Sequence, residues 1–432
     1  MSSVLTNSGA QTALETLRSV NTGLATVQDQ IGTGKRVATA QNDAAVWAIS
    51  KVMQADVAGY KQIQEGLSLA QSTISVGRQG AETVVDLLTD IKGKVVAAQE
   101  ENVDRGNIQT DIDALRDQIN AVVNAASFNG QNLLKHAGQQ EGDGQMTVLG
   151  SLSRAIEGVT ANDVVVARAD LTMDSGSVAM GGGVFNAVAG SATLNATQSA
   201  DIDLSGQTVE GGTVFALSMF GTDFDGSSFA QNDYRTQLTW VPTQFDVALT
   251  GLGYVARDGD TLSDVAKGMV DTWQVYAVEN DLDPEVLNFE AQGASLKVSS
   301  SVTTAMDTLQ VRVSTLSASA GSVAAGELAE LADLDVTSDA GLRKALVTTE
   351  IMLGSAIDAA ASLGSDQQRL DQQSKFTSKL VKSMTEGIGR LVDADMEAAS
   401  AKQKALQVQQ QLAVQSLSIA NRAPEVVLRL LQ

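Results

Sequence analysis

Three Asp-x-Asp pairs, Asp201/Asp203, Asp223/Asp225 and Asp258/Asp260, have the spacing best suited to chemistry, because closely spaced carboxylates can open a hard-cation loop. None continues into the twelve-residue calcium loop with its terminal Glu, so these pairs read as solvated acidic loops. Gly32-Thr-Gly34-Lys35 has the residue types of a phosphate loop, but it lacks the eight-residue spacing and no strand precedes it. A Ser-His-Asp arrangement would have to use His136, the one histidine, which follows a helical segment and reads as a surface or helix-end residue. No spacing selects the Ser or the Asp to accompany it. With no cysteine, the chain has no thiol nucleophile, thiolate metal site or disulfide. Asn195-Ala-Thr197 fits the glycosylation sequon, a pattern that recurs by chance. The sequence thus predicts no catalytic, cofactor-binding or metal residues, and no enzyme.

The elements that carry these residues are more informative than the residues themselves. The chain has 432 residues, enough for two or three domains with sizeable cores. Its net charge of −22 repels phosphate backbones, which argues against nucleic-acid binding. The amino terminus lacks the basic start and apolar stretch of a cleavable signal, and no run approaches ~18 consecutive apolar residues, so no membrane insertion is expected. Residues 131–300 hold 20 of the 38 glycines, 12 of the 16 aromatics, and 22 Asp+Glu against 7 Lys+Arg. The flanks are rich in Ala, Gln and Ser. Such a chain reads as one discontinuous helical body with an inserted domain.

The flanks carry heptads. Tyr60, Ile63, Leu67, Ala70, Ile74, Gly77, Ala81, Val84, Leu88, Ile91 and Val95 alternate steps of three and four, a seam of roughly 50 Å. Ile108, Ile112, Leu115, Ile119, Val122 and Ala126 form a second run. Val302, Met306, Leu309, Val313, Leu316, Ala320 and Val323 form a third, read as helix. From Leu342 to Met384 the spacing persists, interrupted by Asp366 and Gln373. These segments need one another to bury their seams, which predicts an antiparallel bundle. The middle reads as β-rich or α+β. Strands are expected at Asp163–Arg168, Gly212–Leu217 and Gln237–Val241, turns at Gly181–Gly183 and Asp225-Gly226. A helix is expected from Asp260-Thr261 through Met269, with 270–278 as its extension.

The extreme ends differ again. Ala10, Ala13, Leu17, Val20, Leu24, Val27 and Ile31 make one seam. Ala398, Ala401, Ala405, Val408, Leu412 and Ile419 make another, with Gln415 its polar member. The C-terminal segment adds a second stripe: Val392, Met396, Ala399, Leu406, Ala413 and Leu417. A helix apolar on two sides must be covered on two sides. Pairing the termini covers one stripe and leaves the other for a partner outside the molecule. The alternative is that both ends fold back onto their own chain.

Val4-Leu-Thr-Asn-Ser8, Gln30-Ile-Gly-Thr-Gly-Lys-Arg-Val37, Asn42-Asp-Ala-Ala45, Leu67-Ser-Leu-Ala-Gln71 and Ser127-Phe-Asn-Gly130 mark the first flank. Asp393-Ala-Asp395 and Asn421-Arg-Ala-Pro-Glu-Val-Val-Leu-Arg-Leu-Leu431 mark the last. In these motifs the termini resemble those of bacterial flagellins, and Asp43-Ala-Ala-Val-Trp47 and Asp90-Ile-Lys-Gly-Lys-Val-Val96 look most like the alphaproteobacterial type. The resemblance implies a flagellar filament subunit, exported by the flagellar type III route and self-assembling into a helical tube outside the cell for motility. The implied fold is mainly α: a discontinuous antiparallel helical bundle or coiled coil from both termini, with an inserted β-rich or α+β outer domain. The implied layers are residues 1–43 and 391–432 innermost, 44–137 and 298–390 as a rod, and 138–297 outside. Self-assembly would use Leu17, Val20, Leu24, Val27, Ile31, Ala398, Ala405, Leu406, Val408, Leu412, Leu417 and Ile419. Expected partners are many copies of the chain, hook–filament junction proteins, the filament cap and an export chaperone; no cofactor is expected. A junction protein of the same family, or a flagellin displaying an enzymatic outer domain, is the alternative. In flagellins of gut bacteria, an Arg and a Leu that an innate immune receptor grips correspond to Asp90 and Lys94 here. The resemblance therefore implies weak receptor contact.

Overall fold

The computed structural model describes residues 7–136, 143–155, 158–178, 185–195, 198–226, 228–236, 252–301, 306–316 and 322–430. The strand expected at 237–241, the turn at 181–183, Val302, Ala320 and Thr197 lie outside them. The chain forms two compact units: residues 1–65, 151–160 and 374–432, and residues 66–150 and 161–373.

In the first unit, α1 (Ser8–Thr33) and α6 (Met396–Leu430) pair. Asn7 caps α1 by accepting from the Ala10 N–H at 3.0 Å, and Gly34, at φ 68°, ends the helix in the left-handed conformation. The superficial phosphate loop is therefore a helix C-cap. Asp395 starts α6 by accepting from the Glu397 and Ala398 N–H groups. The links that follow α1 and precede α6 are tied together: Arg36 N–H donates to the Val392 carbonyl at 2.7 Å, and Ala394 N–H donates to that of Gly34 at 3.0 Å.

The second unit holds most of α2 (Ala44–Ala97), α3 (Arg105–Ala125) and most of α5 (Asp339–Val392). The α2 seam is covered as its spacing predicts, with Leu67, Ile74, Leu88, Ile91 and Val95 at 0% exposure. Glycines on and beside the seam admit bulk from elsewhere: a Cβ at Gly77 would come within 3.1 Å of Leu133 Cβ, and one at neighbouring Gly80 within 2.8 Å of Leu134 Cδ1. The second run lies in α3, with Ile112 and Ile119 fully buried. On α5 the seam is Leu342, Ala345, Met352, Ala356, Ala359, Leu363 and Leu370. One 18-residue stretch of α5 is apolar enough to cross a membrane by length and composition, and 39% of it is buried within the chain. The two interruptions have partners on a β-hairpin. Gln373 donates to the Gly150 carbonyl at 2.8 Å, and Asp366, paired with Arg369 at 2.9 Å, bonds the Ala167 backbone. That hairpin is β3 (Gln145–Ala155) with β4 (Gly158–Ala167). The Ser127-Phe-Asn-Gly130 motif is itself a tight hairpin, β1 (Ser127–Phe128) with β2 (Gln131–Asn132). Asn129 and Gly130 sit at φ 51° and 78°, as a two-residue turn of this hand requires.

The β module contains a four-stranded antiparallel sheet in the order β5 (Phe185–Leu194), β11 (Thr308–Leu316), β7 (Val214–Thr222), β8 (Gly253–Val255). A three-stranded sheet has the order β6 (Ser199–Asp203), β10 (Ser295–Ser299), β9 (Asn288–Gln292). Helix α4 (Leu262–Glu279) packs on both sheets, and its Trp273 lies 5.0 Å from the Phe289 ring. Thr261 and Asp264 form a capping box at its start. The third heptad run is corrected here. Residues 308–316 are a central strand, not helix: Leu309, Val311 and Val313 are buried at a period of two, and Met306 is 67% exposed. The returning rod helix starts at Asp339 rather than near 298.

Candidate self-assembly surface

Helix α1 turns its seam toward α6. Val20 and Val27 are buried, while Ala10, Ala13, Leu17, Leu24 and Ile31 are half-buried. The helices run antiparallel. Asn7 Nδ2 donates to the Ala420 carbonyl at 2.8 Å, Gln410 Nε2 donates to Asn21 Oδ1 at 2.7 Å, and the Lys35 and Asp393 backbones pair as an isolated antiparallel β-bridge. Gly23 leaves room for Leu406, whose Cδ1 lies 3.5 Å from where a Cβ would stand. The second stripe is the covered one: Val392, the last residue of α5, and Ala399 and Ala413 of α6 are buried, and Leu406 and Leu417 are half-buried. Met396 departs from the stripe and is 43% exposed.

The other stripe is uncovered. Ala398, Ala401 and Ala405 are exposed, and Val408, Leu412 and Ile419 are 56%, 56% and 72% exposed. At 100° per residue the two stripes lie on nearly opposite sides of one helix. Beside the uncovered stripe runs an open groove of about 730 Å³, lined by Gly9, Thr12, Ala13 and Thr16 of α1 and by Gln409, Leu412 and Ser416 of α6. Most of the lining side chains on both walls are small, with Leu412 the large aliphatic one on α6, which suits close approach of another helix. Burying a side chain such as Val, Leu or Ile contributes about 1.5–3 kcal/mol. Val414, 52% exposed, and Leu14, 39% exposed, add to the apolar surface; neither fell on a counted stripe. Asn7, Asn21 and Gln410 were also missed, because their partners lie 413 and 389 residues away in sequence.

The remaining sequence candidates occupy other places. Asp90 is an exposed α2 position, whereas Lys94 is half-buried and ion-paired with Asp111 of α3. His136 is neither free surface nor a helix end: its Nε2 lies 3.3 Å from the Asp258 carbonyl. The Asp pairs are not uniformly solvated. Asp223 accepts from the Gly226, Ser228 and Phe229 N–H groups, which hold its carboxyl below the usual range. Asp260 accepts from the Tyr254 hydroxyl and the Arg257 N–H, and burial raises its pKa. Asp307, absent from the sequence candidates, brings a carboxylate within 4.8 Å of those of Asp223 and Asp225. It already accepts from the Phe224 N–H at 2.8 Å and the Ser228 hydroxyl at 2.6 Å.

Two helical ends thus pair with each other, and one of them carries a further apolar stripe left uncovered by the described residues. Residues 4–139 match the bacterial flagellin N-terminal helical region, and residues 352–431 match the bacterial flagellin C-terminal helical region. Across its whole length the chain is 32% identical to Flagellin A of Rhizobium meliloti, and 33% identical to Flagellin B of Rhizobium meliloti strain 1021, covering all of each. Flagellin FljK of Caulobacter vibrioides is 24% identical over 100% of this chain and 98% of its own. Among solved structures, FliC from Burkholderia pseudomallei aligns with a TM-score of 0.30 at 13% identity, over 70% of this chain and 99% of that one. The chain belongs to the bacterial flagellin family. It is a structural subunit of the flagellar filament.

Proposed function

We propose that the uncovered α6 stripe is the surface through which copies of this chain polymerise outside the cell, after export by the flagellar type III route. The observation that carries this reading is the 56–72% exposure of Val408, Leu412 and Ile419 on a helix whose opposite side is already paired. In the proposed filament, residues 1–43 and 391–432 form the innermost layer and the α2, α3 and α5 seams the next. The 138–297 segment faces water together with β11, which lies in its sheet. Hook–filament junction proteins, the filament cap and an export chaperone are the proposed further partners. The protein acts without catalysis, cofactor or metal. Asp90 and the Lys94–Asp111 pair present charge where a flagellin receptor would grip Arg and Leu, so innate recognition is weak.

The test is seeded polymerisation of purified protein followed by electron microscopy. Long filaments from the intact chain and none from Leu412→Asp are expected. Long filaments from Leu412→Asp would overturn the assembly role of the stripe. An intact chain that forms only short ends on seeds would favour the junction-protein alternative.

A further inference from the structure

A group of carboxylates that outnumber their cations lies where the β module is fastened. Chain leaves for the module through residues 168–178 and returns through 322–328. These two segments run side by side: Ser177 and Val323 exchange backbone hydrogen bonds at 2.8 and 2.7 Å, Gly326 N–H donates to the Asp174 carbonyl at 2.9 Å, and Glu327 N–H donates to that of Asp170 at 2.8 Å. Arg257, from the loop between β8 and α4, reaches both. Its guanidinium donates to the Ala325 carbonyl and lies 3.4 Å from Glu327 and 3.9 Å from Asp170. The Arg257 backbone N–H and the Tyr254 hydroxyl both donate to Asp260, at 2.8 and 2.7 Å. About two turns beyond Asp260, Lys267 of α4 pairs with Asp358 of α5, and Asp271 faces that pair.

Among the described residues, Arg257 and Lys267 thus meet Asp170, Asp260, Asp271, Glu327 and Asp358; exposed Asp264 of the capping box also acts on Asp260, and His136 borders the cluster, with its backbone N–H 3.5 Å from Asp170 and its ring against the Asp258 carbonyl. The arginine side chain is 13% exposed, that of Asp170 7%, and the Arg257 Nε–H has no acceptor within hydrogen-bond distance. Fully ionised, the cluster holds about three uncompensated negative charges; Asp358 and Lys267 keep water, at 67% and 42% side-chain exposure, but Asp170, Asp260 and Glu327 sit in a partly dry joint, where charge is costly. We infer that this cluster is a proton-operated clamp on the root of the β module, relaxed and tight in mild acid, strained and looser above neutral pH.

The direction follows from the shifts. Burial raises Glu327 to about 7 and Asp271 to about 6, and raises Asp260 as well. Arg257 and Lys267 oppose the rise at Glu327, while Asp170 and Asp260 add to it. A carboxyl whose folded pKa lies above its unfolded value binds more protons in the folded state between the two. Stability contributed by the joint therefore falls as pH rises through about 5 to 7, the reverse of an ordinary ion-paired carboxylate.

The test is hydrogen exchange on the full-length monomer at pH 5.5 and 8.0, corrected for intrinsic exchange. The reporters are the amides of Glu327 and Leu328, which donate to Asp170 and Thr172. Their protection is expected to be about tenfold higher at pH 5.5, the effect of about one pKa unit. The α2 amides of Leu88 and Ile91 should change far less. Glu327→Gln should raise protection at pH 8.0 and remove most of the difference, and Asp271→Asn a smaller part. The control Asp225→Asn, which removes one charge elsewhere, should leave the difference intact. An unchanged pH response in Glu327→Gln, or an equal response at Leu88, would overturn the clamp. So would a Glu327→Gln chain that fails to fold, because the neutral side chain must be the better tolerated one.

Discussion

The α2 seam and the outer stripe of α6 are written in the same heptad spacing and end in opposite environments. Leu67, Ile74, Leu88 and Ile91 are wholly buried, whereas Val408, Leu412 and Ile419 are more than half exposed. The difference lies in what covers each helix. Around α2, Leu133 and Leu363 meet Gly77, Ala126 and Leu134 meet Gly80, and Arg78 and Gln71 reach Gln367 and Asp371 of α5. Helix α6 has α1 along one side, and that side uses its other stripe. Periodicity thus reports that a face must be covered, not whether the cover is the same chain or another copy.

The most severe way to break the comparison is to remove α6 or α1. Chains lacking residues 396–432, or 1–35, should remain helical with a cooperative melt and form no filaments in seeded microscopy. Filaments of normal length from either truncation would show that the termini are dispensable for assembly.

Point substitutions should separate the two seams. Leu88→Ala empties a fully buried site and should destabilise the monomer by about 2–5 kcal/mol in denaturant titration. Leu412→Asp alters a side chain already in water and should shift monomer stability by no more than about 0.5 kcal/mol. Its effect belongs to the polymer, where a buried unpaired carboxylate costs several kcal/mol at each contact. If Leu412→Asp destabilised the monomer as much as Leu88→Ala, the outer stripe would be covered by its own chain.

The β module was legible as a module but not in its limits. Composition marked 131–300 because glycine and aromatic residues gather there, and the buried Trp273, Phe215 and Phe289 cluster is that signal made physical. The Leu309–Leu316 stretch escaped because its apolar residues satisfy two periods: 309, 313 and 316 suit a heptad, and 309, 311 and 313 suit a strand. Pairing with β5 and β7, more than 80 residues away, decides between them. Asp366 and Gln373 likewise read as faults in a seam, because the hairpin they hold is distant in sequence. The outer stripe of α6 was legible because two stripes on one helix are a purely local pattern.

That correction moves the cut for a module deletion. Removing 138–297 would leave β11 without partners and expose Leu309, Val311 and Val313, so that chain should aggregate. Removing 178–322 and joining Ser177 to Val323, which already pair, should leave a soluble chain that still polymerises into thinner filaments. A monomeric but well-folded deletion chain would mean that the module supplies an assembly contact.

The smallest effect on the fold should come from Lys94, on the same α2 helix as the fully buried seam. Its ammonium pairs with Asp111, and both side chains are substantially exposed, at 42% and 56%. Water screens such a pair and the side chains lose entropy in forming it, so its net worth is at most about 1 kcal/mol. Lys94→Leu, alone or with Asp90→Arg, should therefore leave the thermal midpoint within a few degrees, because Ile91 and Val95 keep the seam. Receptor signalling should respond far more. Asp90 opposes any receptor carboxylate, and Lys94 must lose both Asp111 and its water to enter an apolar pocket; together these are worth about a thousandfold in binding. The double substitution should partly restore signalling by the monomer. Strong activation by the unaltered chain at nanomolar concentration would show that the receptor reads some other part of α2.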